Sequence, residues 1–133
     1  MKDIKILRDE MVKLKKWALI GVSPDESKFG YKIFMKLKDK GYIVYGLNPK
    51  YDEINGVKIY HSLKELPEKI DSVNVIVNPT VSLNVLDDIV ECKIENVWVQ
   101  QGSYNPQVLN KGKNNELNMV FHECLYVELC KIL

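Results

Sequence analysis

The chain has 133 residues, 46% of them hydrophobic and 28% charged, enough for one domain around a single core. Its formal net charge of +1 supplies no overall field for nucleic acid or membrane surfaces. No apolar run nears the roughly 20 residues needed to span a bilayer, and the charged N-terminus lacks a signal-peptide pattern, so a cytoplasmic protein is expected.

Ile4, Leu7, Met11 and Leu14 fall on one stripe at three- and four-residue spacing. This predicts an N-terminal helix within residues 1–16, capped by Asp3 and with its lysines in solvent. Residues 17–22, WALIGV, form an unbroken apolar run, as expected of a strand buried on both faces. A helix over 28–40 would bury Tyr31, Ile33, Phe34 and Leu37 and stop at Gly41. The second strand, 42–47, ends at Asn48-Pro49, and a short strand is expected at 57–60. Ser62-Leu63-Lys64-Glu65 has the spacing of a capping box.

The third main strand, 73–77, closes at Asn78-Pro79, and the helix after it should bury Val81, Val85, Leu86 and Ile89. The fourth, 96–100, leads into Gln101-Gly102. Asn105 then caps a helix that has Pro106 in its first position. A fifth strand covers 118–122, and Leu125, Leu129 and Cys130 or Ile132 give the tail helical spacing. The three cysteines, Cys92, Cys124 and Cys130, form no CxxC pair; they read as reduced thiols, and no metal site is expected.

Strands alternating with helices define an α/β chain. The expected architecture is a single Rossmann-like three-layer sandwich over residues 1–133. Its five-stranded parallel sheet, in the order 3-2-1-4-5, carries helices on both faces. Ligands in such sheets bind beyond the carboxyl ends of the strands, here near a switch point between strands 1 and 4. Those ends carry Gly21-Val22-Ser23, Asn48-Pro49-Lys50, Asn78-Pro79-Thr80 and Gln100-Gln101-Gly102.

A dinucleotide fingerprint would need glycines where Ser23 and Glu26 stand, and the acid that binds a ribose is replaced by Asn48; a standard NAD site is disfavoured. The underlying physics survives. Gly21 permits a tight turn, Ser23 offers a hydroxyl, and the next helix presents free N–H groups. Gly30 would let that helix approach closely, and Lys28 and Lys50 would add charge for phosphates. The two Asn-Pro pairs read either as punctuation or as rims that hold an adenine or ribose by shape. His61, and His122 beside Glu123 and Cys124, are the candidates for acid–base or nucleophilic chemistry. Neighbours on a strand point to opposite faces, so structural roles are expected for them, and Trp17 and Trp98 read as core.

Gly21-Val22-Ser23, Tyr31, Asn48-Pro49, Trp98-Val99-Gln100-Gln101-Gly102, Asn105 and His122-Glu123-Cys124, in that order, resemble the small bacterial and archaeal CoA-binding proteins. These are stand-alone Rossmann-like domains similar to the CoA-binding domain of the succinyl-CoA synthetase α subunit. The resemblance runs from about residue 15 to residue 128. It implies coenzyme A or acyl-CoA lying across the strand ends. Gly21, Val22 and Ser23 would wrap the diphosphate through backbone N–H groups. Asn48, Pro49 and Lys50 would sit at the nucleotide end. Asn78 and Pro79 would border the adenine or pantetheine path, with Gln100, Gln101 and Gly102 as the far rim.

The family's loop has Arg or Lys with Pro before a Ser-Tyr pair. Here Lys28-Phe29-Gly30-Tyr31 replaces it, keeping the basic residue and losing the serine hydroxyl. The family's Asp-Arg-Cys becomes His122-Glu123-Cys124, without the arginine. Ligases of this kind act through a further domain carrying a phosphorylated histidine, and none is expected in 133 residues. The expectation is therefore a non-catalytic CoA carrier or sensor with no nucleic-acid or membrane partner. A second copy or another protein is the candidate macromolecular partner. The alternatives are an NAD(P)- or other nucleotide-binding enzyme, and a regulatory scaffold whose pocket is vestigial and whose N-terminal helix is the working surface.

Overall fold

The computed structural model describes residues 3–133. The first apolar run becomes β1, Lys16–Ile20, whose three central residues are buried, as two covered faces require. Trp17 and Leu19 face one helical layer and Ala18 the other, because successive side chains alternate across the pleat. The sheet continues with β2 (Ile43–Leu47), β3 (Glu53–Ile54), β4 (Val57–Tyr60), β5 (Ser72–Val75), β6 (Asn96–Val99) and β7 (Asn118–Val120). The spatial order is β3-β4-β2-β1-β5-β6-β7, and every pair is parallel except β3–β4.

The mostly parallel Rossmann-like sheet agrees with the sequence reading; the five strands and the order 3-2-1-4-5 do not. The segment at 73–77 pairs with β1 through Leu19↔Asn74 rather than standing beyond β2. The place beside β2 belongs to the short strand at 57–60, through Gly46↔Ile59 and Leu47↔Tyr60. Two local features admit it. Gly46 has no side chain where Ile59 crosses; a Cβ there would lie 3.0 Å from Ile59 Cδ1. Asn55 and Gly56 both have positive φ, 51° and 80°, which closes the two-residue hairpin that adds β3.

Helices α1 (Ile4–Met11), α2 (Phe29–Asp39) and α5 (Leu125–Cys130) cover one face. The opposite face carries α3 (Pro79–Glu91) and α4 (Pro106–Asn114). Trp17 and Trp98 are fully buried with ring centroids 6.3 Å apart. Their indole N–H groups donate to Leu14 O at 2.8 Å and Glu123 O at 2.9 Å, so the core holds both the end of the N-terminal segment and the loop before α5. Asp3, Asn78 and Asn105 cap their helices, and Ser62 and Glu65 form the capping box around a 3₁₀ turn at Leu63–Glu65.

Three local expectations need correction. Tyr31 is only half-buried, and Val81 is 41% exposed. Ser82 takes the buried place on α3 and donates to Ser103 O at 2.6 Å. β7 stops at Val120, and His122 lies beyond it in a left-handed turn with φ 62°.

Candidate cleft at the strand ends

Leu47 and Val75 both lie level with Ile20, so β2, β1 and β5 end together. Strand order reverses between β1 and β5, which puts the switch point there rather than between β1 and the strand at 96–100. A cleft of about 920 Å³ opens above this point.

Its floor is the turn after β1. Gly21 has φ +104°, and a Cβ there would lie 2.1 Å from Ile76 O. The Gly21 and Val22 N–H groups donate to Leu47 O at 3.0 and 3.4 Å, which bends the chain toward β2. Gly30 packs from α2 onto the same turn; a Cβ on it would lie 2.3 Å from Gly21 O and 3.4 Å from Ser23 N. The first-turn N–H groups of Phe29 and Gly30, which have no intrahelical acceptor, are thereby held beside Gly21-Val22-Ser23. Lys28, the N-cap residue, puts no side-chain acceptor on them. The loop between is self-braced. Ser23 Oγ accepts from Asp25 N at 3.1 Å, and Asp25 Oδ1 accepts from the Ser27 hydroxyl at 2.6 Å and its N–H at 2.9 Å. These donors, the hydroxyl foremost, hold the Asp25 carboxyl below its ordinary range.

On the β2 side, Asn48 Nδ2 donates to Val22 O at 2.9 Å and Oδ1 accepts from Lys50 N at 2.9 Å. The asparagine thus fixes the β2 exit to the β1 turn, and Pro49, Lys50 and Tyr51 form the rim. His61, Ser62 and Leu63 close the end beyond β4, with His61 Nε2 2.7 Å from Asp52 Oδ1. The remaining wall is Ile76-Val77-Asn78 and one face of α3: Val81, Asn84, Val85 and Asp88. Asn78 Oδ1 is committed to Val81 N at 3.0 Å.

Of the residues singled out from the sequence, Gly21, Val22, Ser23, Lys28, Gly30, Asn48, Pro49, Lys50 and Asn78 line this cleft together. Tyr31 and Pro79 do not, and neither do Gln100, Gln101 and Gly102. The last three follow β6, one strand further from the switch point than the expected order placed them. Gln100 is a framework residue: 4% exposed, it accepts from Leu125 N at 3.0 Å and points its Nε2 at Cys124 Sγ, 3.5 Å away. His122 meets the Tyr104 hydroxyl at 2.7 Å, so His122 and Cys124 have separate partners.

The sequence reading missed Ser27, Phe29, Tyr51 and Ser62 as cleft residues, together with Asn84 and Asp88 on α3. The Asn55-Gly56 hairpin was the available signal for the β4 side. The spacing of 81, 84, 85 and 88, one helical face, was the signal for α3. Among the described residues no group of three or more His, Cys, Asp or Glu is placed to hold a metal, and no helix is long and apolar enough to cross a membrane.

A Rossmann-like sheet with a backbone-lined cleft at its switch point defines a class of ligand-binding α/β domains. Within that class the chain belongs to the CoA binding domain family, whose sequence model matches residues 15–129. It is 42% identical over 74 residues to an ADP-forming acetate–CoA ligase of Methanocaldococcus jannaschii, a match covering 56% of this chain and 10% of that protein. The chain therefore spans a small part of that ligase. It is 27% identical over 121 residues to the uncharacterized protein YneT of Bacillus subtilis, 91% of this chain and 90% of that one. Among solved structures, a conserved hypothetical protein from Pyrococcus furiosus superposes with a TM-score of 0.81 at 35% identity, covering 86% of this chain and 98% of the other.

Proposed function

We propose that the chain binds coenzyme A, free or as a thioester, in the cleft above β1 and β5, and acts as a non-catalytic carrier or sensor. The observation that carries this reading is the contact of Gly30 with Gly21. It holds the free N–H groups of the α2 start against the β1 turn, with Lys28 and Lys50 also on the lining. Preorganised N–H donors and flanking cations suit a diphosphate. Gly21, Val22, Ser23 and Gly30 would hold that group, while Asn48, Pro49 and Lys50 would border the nucleotide. Membership of the CoA binding domain family supports coenzyme A over other diphosphates. So does Asn48, whose amide is engaged by backbone where an NAD site needs a carboxylate for the ribose. The non-catalytic part rests on the lining, whose titratable side chains include one histidine, paired with Asp52, and no cysteine.

Calorimetric titration with CoA, acetyl-CoA, NAD and NADPH at fixed salt tests the reading. Micromolar binding of the two CoA species without response to the nicotinamide nucleotides is the expected result. Ser23→Asp keeps an acceptor for Asp25 N but adds a negative charge at the diphosphate, so CoA affinity should fall by about 1 kcal/mol or more. Equal binding of NAD, or unchanged CoA affinity in that variant, would reject the assignment.

A further inference from the structure

Two apolar side chains on the cleft lining are left in solvent. Phe29 is 48% exposed and Val81 41% exposed. They occupy matching places, each in the first turn of the helix that follows a strand flanking the switch point: Phe29 opens α2 after β1, and Val81 is the third residue of α3 after β5. Phe29 is also held in position. Its ring meets Tyr126 edge-on at 6.1 Å between centroids, and Lys32 Nζ lies 5.5 Å from its centre. A braced, exposed aromatic beside a polar backbone cradle has the form of a contact surface for a bound molecule.

We infer that Phe29 and Val81 select the class of nucleotide by enclosing the branched apolar group that follows the diphosphate of coenzyme A; the inference rests on the CoA reading. Phe29 is the immediate neighbour of Gly30, which packs on Gly21 of the β1 turn, so its side chain stands beside the backbone cradle proposed for the diphosphate. In coenzyme A the group beyond the diphosphate is a methylene followed by a quaternary carbon bearing two methyl groups. In NAD it is a ribose with hydroxyls, and in ADP there is nothing. Methyl groups against Phe29 and Val81 remove apolar surface from water on both sides. Ribose hydroxyls in the same place would face two walls that offer no hydrogen bond, which disfavours them.

The test is titration of wild type, Phe29→Ser, Phe29→Leu and Val81→Ser with CoA and with ADP. Both residues are exposed, and thermal melts establish that each variant folds. Phe29→Ser should weaken CoA about five- to tenfold and Val81→Ser about threefold, while ADP affinity stays within about twofold. Phe29→Leu, which keeps an apolar wall, should stay close to wild type. Unchanged CoA affinity in Phe29→Ser, or equal weakening of CoA and ADP, overturns the inference while leaving the CoA reading intact. Failure of the wild type to bind CoA overturns both.

Discussion

Replacing Gly30 by alanine tests the contact on which the cleft is built. The added methyl would lie 2.3 Å from Gly21 O and 3.3 Å from Gly21 C, about 1 Å inside ordinary contact for the oxygen. Both obstacles are backbone, so no side chain can rotate aside. Either the first turn of α2 lifts or the β1 turn shifts. Overpacking of this kind costs about 1–3 kcal/mol, while alanine's better helix propensity returns at most about 1 kcal/mol. Taking the middle of the overpacking range, about 2 kcal/mol, the net expectation is a loss of about 1–2 kcal/mol in urea unfolding, a fall in melting temperature of at least about 3 °C for a chain of this size. The same displacement parts the Phe29 and Gly30 N–H groups from Gly21-Val22-Ser23, so calorimetry should show CoA affinity falling as well. Gly41→Ala is the control: its φ of +84° makes alanine strained, yet a Cβ there meets no atom within 4 Å. It should lose about 1 kcal/mol of stability and no CoA affinity. A Gly30→Ala protein as stable as wild type and equally competent for CoA would refute the packing argument.

Gln100→Leu removes the acceptor for Leu125 N in a buried position, so unfolding should show a loss of about 1–3 kcal/mol, with CoA affinity unchanged in the folded protein. Lys50→Ala should weaken CoA a few-fold at low salt and flatten the dependence of affinity on salt; parallel salt plots for the two proteins would remove Lys50 from the phosphate contact. The Glu68 carboxyl is held below its usual 4.5 by hydrogen bonds from Lys16 first and Tyr45 second. Its folded value being depressed, its contribution to stability is present above 4.5 and is lost as pH falls through the folded value. Lys16→Met should move the Glu68 titration upward, read from its carboxyl carbon by NMR, and narrow that acid window.

The central strands were legible because burial on both faces leaves an unbroken apolar signature. WALI, IVYGL and NVWV show it; the first two run into Gly21 and Asn48-Pro49, and the third reaches its turn glycine, Gly102, after two glutamines. The edge was not, because β3 and β4 together have only six residues and bury few of them. Ile54-Asn55-Gly56-Val57 was the local sign of the hairpin; together with the bare Gly46 it admits β4 beside β2, while the 72–75 strand pairs with β1. This strand order also decides the site, since it carries the exit of β6 away from the switch point and brings His61 and Ser62 to the cleft.

Residues whose role is set by the backbone were readable from their positions: Gly21 for its turn, Asn48 and Asn78 for the N–H groups they accept. Phe29, which enters the cleft through helix packing, carries no local mark of it, and Asn84 is marked only by its helical spacing with residues 81, 85 and 88. The Trp98-Val99-Gln100-Gln101-Gly102 stretch shows the converse, a distinctive pattern whose glutamine is consumed in joining β6 to α5. The glycine spacing follows the same logic. In the dinucleotide fingerprint the first glycine turns the chain and the third admits the helix, with a fixed short interval between them. Here Gly21 and Gly30 do those two jobs across a longer loop, whose additional residues fold on themselves through Ser23, Asp25 and Ser27. The physical requirement is contact between the start of α2 and the end of β1, and loop length is free so long as the loop is braced. A pattern defined by intervals fails where that contact persists.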